Sequence, residues 1–351
     1  MRKLYQSILF YLVVFCVTYF IYVYPFEILN ELIFSEKPNR KTSFYYTIII
    51  SILIIFYFRS YASLKPLKIF IYEGMGIGFI SFWILTLAII VLKLFNINAF
   101  YLGIFSLILI LFFSLISFYF GSKIYLKELY IKSDKILSDS SFVFISDVHL
   151  GSNSINHLKK IIHKLKNINF DFILIGGDLI DSSAFDLNNF KIITEKIKCP
   201  IYFVTGNHEY YIKNSNNKIK EINNFGIKHL SNKNTNIMNL NIIGIDDNLS
   251  RDQQVQIIKK KYSNDKFNLC LIHKPSIWDK VYNESDLMIS GHTHGGQIFP
   301  FNFFVMLQFK FKYGLYSYDN SKLYVSSGAG TWGPKMRLGT FNEIILFHLS
   351  K

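Results

Sequence analysis

The chain has 351 residues, enough for two or three domains, and 51% of them are hydrophobic, which is high for a purely soluble protein. Its formal net charge is +14, but no recognisable nucleic-acid-binding motif accompanies this charge. Lysines beside a membrane anchor, facing anionic headgroups, explain it more simply. The cysteines, Cys16, Cys199 and Cys270, lie far apart in or beside apolar runs, which argues against a disulfide framework or a thiolate metal site.

Four long apolar runs precede residue 121, at residues 4–24, 44–58, 69–92 and 99–120. Three approach or exceed the roughly 20 residues that cross a bilayer, and the second is shorter. The first run follows Arg2 and Lys3, as in a signal peptide, but it is long and lacks a small-x-small cleavage pattern, which favours a retained anchor. We therefore predict a transmembrane region of about four helices over residues 1–121.

Basic residues indicate the topology of these helices. One side carries more of them, namely Arg2, Lys3, Arg59, Lys65, Lys68, Lys123, Lys127, Lys132 and Lys135. The other side carries Lys37, Arg40, Lys41 and Lys93. By the positive-inside tendency, the amino terminus and everything after Phe120 face the cytoplasm. The sequence thus predicts a multi-pass protein of the cytoplasmic membrane with a cytoplasmic second domain.

After Gly121 the composition changes to short apolar runs that alternate with polar segments. Residues 122–140 are predicted to form a juxtamembrane linker, and residues 141–351 a second domain. Buried strands are predicted at residues 142–145, 172–175, 201–204, 269–272 and 287–289, with further β structure at 241–245, 323–325 and 344–349. Helix-like stretches such as residues 157–166 lie between several of them. This alternation predicts an α/β sheet packed between helices.

Carboxylate, imidazole and carboxamide side chains follow five of the predicted strands. In chain order they are Asp147, His149, Asp178, Asn207, His208, His273, His292 and His294. Ligands bind beyond the carboxyl ends of strands in open α/β sheets, so these side chains converge if the strands are neighbours. In an extended turn His292 and His294 would point the same way, because side chains alternate with a period of two.

These residues form five blocks: Asp147-x-His149, Gly177-Asp178, Gly206-Asn207-His208-Glu209, His273 and Gly291-His292-x-His294. In this order they resemble the calcineurin-like metallophosphoesterases over roughly residues 140–350. Gly295-Gly296-Gln297 and residues 326–330 also resemble a subgroup of bacterial membrane-associated phosphodiesterases. The resemblance implies a membrane-embedded helical region followed by a layered α/β/β/α metallophosphoesterase sandwich.

The resemblance further implies two divalent metal ions. Asp147, His149 and His294 would hold one ion, Asn207, His273 and His292 the other, and Asp178 would bridge them. His208 would be catalytic, either stabilising the charge of the transition state or protonating the leaving oxygen. The ligand types suit Mn, Fe, Zn or Co, with manganese favoured, and two such ions convert a bridging water into the attacking hydroxide.

Other polar side chains admit two interpretations. Glu209 or Asp171 orients its neighbours, or is a helix-start or surface acid. Asp181 and Asp186 are interpreted as turn residues. Four histidines are interpreted as structural or solvated, namely His157, His163, His229 and His348.

Basic side chains of the second domain also admit two interpretations. Lys159, Lys160, Lys164 and Lys166 form the solvated face of a helix, or they contact the bilayer. Lys335 and Arg337 bind a second phosphate, or they are ordinary surface cations.

An aromatic segment at residues 299–307, continued by Phe309 and Phe311, begins five residues beyond His294. It either packs in the core or forms a flap that enters the membrane interface and admits a lipid-linked phosphate. The second possibility predicts a membrane-anchored hydrolase of a phosphodiester or pyrophosphate in a lipid-linked substrate.

Two alternatives to this function stay open. One is a phosphatase or cyclic-nucleotide phosphodiesterase that acts on soluble substrates. The other is a non-catalytic membrane sensor that binds metal, although such a sensor would be expected to have lost a ligand or His208, and none is lost.

Overall fold

The computed structural model describes residues 2–60 and 64–351. Met1 and residues 61–63 of the predicted transmembrane region lie outside the described residues, as do the side chains of Arg2 and Lys3, which the topology prediction uses. The chain divides into two compact units. The first extends to Tyr119 and includes Gly333–Met336, and the second comprises Phe120–Trp332 and Arg337–Lys351.

The first unit is built from long apolar helices. They are α1 (Arg2–Thr18), α2 (Tyr24–Phe34), α3 (Arg40–Ser60), α4 (Lys65–Leu94) and α5 (Ala99–Ser122), the end of which belongs to the second unit. Among the described residues, four stretches are long and apolar enough to cross a membrane, namely Tyr5–Phe34, Arg40–Arg59, Lys65–Leu94 and Ala99–Ser122. Their number agrees with the prediction from the sequence.

The first of these stretches is longer than the predicted run of residues 4–24. A π-helical turn at Tyr19–Val23 joins α1 to α2 without a break. Pro25 is the second residue after this π-helical turn and does not end the helix. The helix therefore continues to Phe34.

The second unit contains two six-stranded sheets. The first has the strands β1 (Ile124–Lys132), β2 (Ser140–Ile145), β3 (Phe172–Gly176), β4 (Ile201–Val204), β5 (Ile227–His229) and β12 (Asn342–Ser350), in the order β1-β12-β2-β3-β4-β5. Strands β2 to β5 are parallel to one another, and β12 runs antiparallel to β2.

The second sheet has the strands β6 (Lys233–Ile237), β7 (Leu240–Ile245), β8 (Phe267–Ile272), β9 (Leu287–Ser290), β10 (Gly314–Tyr318) and β11 (Ser321–Val325), in the order β10-β11-β9-β8-β7-β6. Its four central strands are parallel, and its two edge strands are antiparallel to their neighbours. Every strand predicted from the sequence is present in one of the two sheets.

Helices cover the outer faces of both sheets. Those of the second unit are α6 (Ile155–Leu165), α7 (Lys191–Lys196), α8 (His208–Tyr211), α9 (Ser215–Asn223), α10 (Arg251–Lys261), α11 (Trp278–Val281) and α12 (Phe301–Gln308). In β2, Val143 and Ile145 pack with Leu158 of α6, whereas Phe142 and Phe144 face the other way, into the layer between the sheets. This alternation is the ordinary two-residue period of a strand.

The inner layer joins the two sheets. Phe142 stacks on Phe172 and on Phe347, with ring centroids 5.1 and 4.8 Å apart, and the same cluster includes Leu269 and Ile289 of the second sheet. On the outer face of the second sheet, Ile258 of α10 and Trp278 of α11 complete another cluster. The domain is therefore an α/β/β/α sandwich, as the family resemblance implied. The alternation predicted a sheet packed between helices but did not reveal the second sheet, because a strand buried on both faces has the same pattern whether a helix or a sheet covers it.

The predicted linker at residues 122–140 also differs from the structure. Residues Ile124–Lys132 form β1, which pairs with β12 in parallel along its full length. Lys127, Glu128 and Lys132 give this stretch the polarity of a linker, but β1 is an edge strand, so charged side chains reach solvent. The first sheet therefore begins almost directly after α5.

Candidate metal centre

The predicted ligands lie at the carboxyl ends of strands in both sheets. Asp147 and His149 follow β2, Asp178 follows β3, and Asn207 follows β4, all in the first sheet. In the second sheet His273 follows β8, and His292 and His294 follow β9. The site is thus formed where the ends of the two sheets meet.

Asp147, His149 and His294 form one cluster. Nε2 of His149 lies 3.1 Å from Nε2 of His294, and Oδ1 of Asp147 lies 3.6 Å from Nε2 of His294 and 4.0 Å from Nε2 of His149. Asp147 and His149 are completely buried. The three side chains offer two nitrogens and an oxygen close enough to hold one metal ion.

Asp178, His273 and His292 form a second cluster. Nε2 of His273 lies 3.2 Å from Oδ2 of Asp178 and 3.1 Å from Nδ1 of His292. The same Oδ2 of Asp178 lies 3.7 Å from Nε2 of His149 in the first cluster. Asp178 therefore stands between the two clusters, in the position that a bridging ligand would take.

Asn207 tests whether these side chains fit metal ions. Its Oδ1 is buried and has no hydrogen-bond partner among the described residues. Buried polar atoms almost always have partners, and a metal ion is a common reason for an exception. The donor set of carboxylate, imidazole and carboxamide, converging without thiolate, fits two divalent ions.

The backbone of this site is strained. Five of the seven predicted ligands are non-glycine residues with positive φ, namely Asp147 (55°), His149 (51°), Asp178 (51°), His292 (72°) and His294 (49°). Such conformations are uncommon outside glycine and concentrate at functional sites. Consequently His292 and His294 are not in an extended turn, and they point to different clusters rather than the same way.

Gly177 permits the close approach of three loops. It has a φ of 90°, and a Cβ at this position would lie 2.6 Å from the nitrogen of Gly206 and 2.7 Å from Nδ1 of His273. Both distances are too short for a side chain. The glycine before Asp178 is thus required for His273 and the loop after β4 to reach the site.

Glu209 orients the loops that carry Asp178 and Asn207. Its buried carboxylate accepts hydrogen bonds from the backbone N–H groups of Asp178 (3.0 Å), Ile180 (3.0 Å) and Gly206 (2.7 Å). Burial raises its pKa to about 7. Asp171, the other candidate for this role, instead accepts from the N–H of Ser141 at the start of β2, at the opposite ends of the strands.

Asp181 is more than the turn residue predicted from the sequence. Its Oδ2 lies 3.3 Å from Nδ1 of His149, and the carboxylate also accepts hydrogen bonds from the N–H and hydroxyl of Ser152. Burial would raise the pKa of Asp181, but His149 and Ser152 together hold it below the ordinary value. Nδ1 of His149 has no hydrogen bond within the described residues, so the contact is one of proximity. With a metal ion on His149, a carboxylate at this position would orient the ring. The sequence feature that could have indicated this role is the position of the acid, three residues after Asp178 in the loop that follows β3.

Arg337 is neither a phosphate-binding group nor a surface cation. It is completely buried, and its guanidinium donates to the carbonyls of His294 (2.8 Å), Ser327 (2.6 Å) and Gly330 (2.6 Å) and to Oδ1 of Asn342 (2.9 Å). These contacts bind the loop after β9 to the loop after β11. Lys335, by contrast, is exposed.

His208 lies at the edge of both clusters. Its Nε2 is 3.9 Å from Oδ2 of Asp178, its ring meets that of His149 edge-on at 4.7 Å, and its backbone N–H donates to Oδ1 of Asp178. Burial lowers the pKa of His208 to about 4, so a neutral imidazole that donates one N–H is favoured. The rings of Tyr211 and Trp332 flank it at 5.3 and 5.7 Å.

In the second cluster, His273 and Asp178 stabilise each other's charged forms. Burial alone would lower the pKa of His273, but the neighbouring Asp178 outweighs this and raises it to about 10. The pKa of Asp178 is in turn held well below its ordinary value, although burial alone would raise it. A cation that binds between these groups displaces a proton from the imidazole.

The four remaining histidines lie outside both clusters. Nε2 of His157 is 2.7 Å from the carbonyl oxygen of Ala329, His229 pairs with Asp246 at 2.8 Å, and His348 pairs with Glu128 at 3.2 Å. His163 lies on the exposed face of α6. Their interpretation as structural or solvated side chains agrees with these contacts.

Comparison with known proteins agrees with this geometry. Residues 140–296 match the calcineurin-like phosphoesterase family. The chain is 35% identical over 238 residues to an uncharacterised metallophosphoesterase of Campylobacter jejuni, and 32% identical over 239 residues to one of Helicobacter pylori; each match covers 64% of this chain and 63% of the relative. A Danio rerio protein named transmembrane protein with metallophosphoesterase domain is 28% identical over 234 residues, which cover 61% of this chain and 54% of that protein.

The fold, the site and these matches agree that residues 140–296 form a calcineurin-like phosphoesterase domain. The matched region spans less than two thirds of the length of each of these relatives. The activity and substrate of the whole protein are therefore proposals.

Proposed function

We propose that the protein is a membrane-anchored, metal-dependent phosphoric ester hydrolase that cleaves a phosphodiester or pyrophosphate bond in a lipid-linked substrate. The observation that carries this proposal is the complete ligand set, arranged in two clusters with Asp178 between them. A metal-binding sensor without catalysis would not need His208 beside both clusters.

Different side chains would bind the metal ions, contact the substrate and position the ligands. Asp147, His149 and His294 would hold one divalent ion, Asn207, His273 and His292 the other, and Asp178 both; manganese is the ion that we favour. When bound, such ions neutralise phosphoryl charge and lower the pKa of water. His208 donates an N–H to a phosphoryl or leaving oxygen, and Glu209 and Asp181 hold the ligands in place.

Helix α12 supports a lipid-linked substrate. Phe303, Phe304 and Leu307 are 55%, 47% and 87% exposed, whereas Phe309 and Phe311 are buried. The aromatic segment is therefore divided: its end packs in the core, and α12 presents a short apolar surface shortly after His294 in the chain. A solvent-facing apolar helix beside an active site suits insertion into the membrane interface.

The end of α5 is linked to the site by hydrogen bonds. Nδ2 of Asn342 donates to the carbonyls of Gly121 (2.9 Å) and Lys123 (3.0 Å), where the last candidate span ends. Oδ1 of Asn342 accepts from Nε of Arg337, which also donates to the carbonyl of His294. This short path supports an active site close to the point where the chain leaves the bilayer.

Hydrolysis by the purified full-length protein tests the proposal. With Mn²⁺ we expect faster cleavage of bis-p-nitrophenyl phosphate than of p-nitrophenyl phosphate. Phe303→Ser/Phe304→Ser should reduce cleavage of a lipid phosphodiester in vesicles about tenfold or more, because apolar area at the interface is lost, and should leave a short soluble analogue within about twofold. Leu137→Ser/Met238→Ser, which changes other exposed apolar side chains, is the matched control. An equal loss on both substrates would exclude the role of α12.

A soluble substrate is the second candidate. Tyr211 and Trp332, which are 70% and 45% exposed, flank His208 and offer faces on which a nucleobase can stack. This candidate would be favoured if the protein cleaves cyclic nucleotides faster than every lipid tested and if Trp332→Ala lowers the rate of cyclic-nucleotide cleavage.

We also propose that the second unit faces the cytoplasm, as the distribution of basic residues predicts. Protease treatment tests this orientation. The domain should be cleaved in inverted membrane vesicles and protected in spheroplasts; the reverse pattern would contradict it.

A further inference from the structure

A cavity of about 610 Å³ lies in the second unit, away from the predicted ligands, none of which lines it. Its walls come from the residues that follow α5, from α6 and from the end of α7. The lining residues are Ser122, Lys123, Ile124, Lys159, Lys160, His163, Lys164 and Lys196.

The architecture of α6 explains why lysines line this cavity. Leu158, Ile161, Ile162 and Leu165 form the apolar stripe of the helix and pack into the core of the first sheet. Lys159, Lys160 and Lys164 occupy the intervening positions and are exposed. The period of the helix therefore places all three lysines outside the apolar stripe, with Lys159 at its flank and Lys160 and Lys164 on the far side.

The cavity is strongly cationic. Of the side chains that the structure describes, those lining it include five lysines and no carboxylate. Lys159, Lys160 and Lys164 form no ion pair with a carboxylate in the described part of the chain. Like charges on one concave surface repel one another, and an anion bound between them relieves that repulsion.

The position of the cavity indicates the source of the anion. Its first lining residue, Ser122, is also the last residue of the candidate span Ala99–Ser122. With Ala99–Ser122 crossing the bilayer, as the proposed membrane anchoring requires, covalent continuity would put this end of the cavity close to the lipid headgroups. Lysines at this depth attract anionic lipids.

We propose that this cavity binds the phosphate of an anionic phospholipid headgroup. Lys159, Lys160 and Lys164 supply hydrogen-bond donors to the phosphate oxygens, and Ile124 supplies an apolar wall. A free phosphate ester has the same chemistry but is not delivered by the membrane, so the two sources are separable by experiment.

Lipid titration of the delipidated full-length protein, followed by native mass spectrometry, tests the proposal. Phosphatidylglycerol, phosphatidylcholine and the soluble headgroup glycerophosphoglycerol are the three probes. Lys159→Gln/Lys160→Gln/Lys164→Gln removes the charge of α6. Lys259→Gln/Lys260→Gln/Lys261→Gln removes the same charge from α10, which also has 11 residues, and is the control.

For the first phosphatidylglycerol molecule bound, the dissociation constant of the α6 variant should be at least about tenfold higher than that of the unchanged protein. Each lysine near an anionic surface contributes roughly a fivefold factor in affinity. The control should stay within about twofold, and phosphatidylcholine should not distinguish the proteins. Equal affinity in the α6 variant, equal weakening in the control, or binding of glycerophosphoglycerol as tight as that of the lipid would overturn the proposal. If the α6 variant unfolds at a lower temperature without lipid, Lys196→Gln replaces it, with an expected weakening of about fivefold.

Discussion

At the scale of single residues, two carboxylates three positions apart have different roles. Asp178 stands between the clusters, whereas Asp181 lies behind His149 and is within 3.3 Å of its Nδ1. The first would bind both ions directly. The second would act through the imidazole of His149, whose ring it would orient.

Asp181→Asn should therefore weaken binding of the ion at the first cluster about 10- to 100-fold, because the amide supports the imidazole less well than the carboxylate does. Mn²⁺ titration by calorimetry measures this change. Asp186→Asn, which changes an exposed acid of the same loop region, should have no effect on Mn²⁺ affinity. Unchanged affinity in the folded Asp181→Asn protein would show that the contact with His149 is incidental.

The residue types after the strands were sufficient to predict that these eight side chains come together, because parallel strands bring their carboxyl ends to the same edge. Their roles as ligands and catalyst stay predictions. Their backbone conformations were not predictable. The φ of 72° at His292 and of 49° at His294 lie in a region that residues with side chains rarely adopt, and no residue pattern predicts it here. The role of Arg337 was not predictable either. A lone arginine in a loop is usually exposed, and the sequence does not show that the carbonyls of Ser327 and Gly330 accept its hydrogen bonds.

At the scale of elements, Arg337 connects the loops after β9 and β11. Its guanidinium donates in several directions at once, which a lysine cannot reproduce, and its removal leaves buried carbonyls without donors. The positions of His294 and of the loop at residues 327–330 therefore depend on one side chain.

Arg337→Lys should lower the unfolding temperature of the domain by roughly 5 °C or more, which corresponds to about 2 kcal/mol for a domain of this size. Arg251→Lys, on the exposed first turn of α10, is the control and should change it by less than about 1 °C. Intrinsic fluorescence during heating reports the transition. An unchanged unfolding temperature in the Arg337→Lys protein would contradict the proposed connection.

The elements themselves were largely predictable, and their arrangement was less so. The strands were predicted correctly because their apolar runs are short and bounded by polar residues. The sequence of a run does not indicate which of the two sheets the strand joins. The edge strand β1 was missed, because its exposed charges have the pattern of a linker.

At the scale of the whole molecule, four apolar stretches are joined to a metallophosphoesterase domain with no intervening linker longer than a residue or two. The number of spans was predictable from length and hydrophobicity, whereas the extension of the first beyond Pro25 was not, since it depends on where helix α2 begins. This direct join places the basic cavity and the end of α5 side by side in the chain, and it makes the membrane a natural source of substrate for the proposed activity.

The central feature of the proposed enzyme is one carboxylate, that of Asp178, which serves two cations. Metal content of the purified protein, measured by inductively coupled plasma mass spectrometry together with the rate of bis-p-nitrophenyl phosphate hydrolysis, tests it directly. The unchanged protein should hold two divalent ions per chain, and folded Asp178→Asn protein should hold at most one and lose activity by about 100-fold or more. Two ions and an undiminished rate in that variant would contradict this role of Asp178 and the function proposed from it.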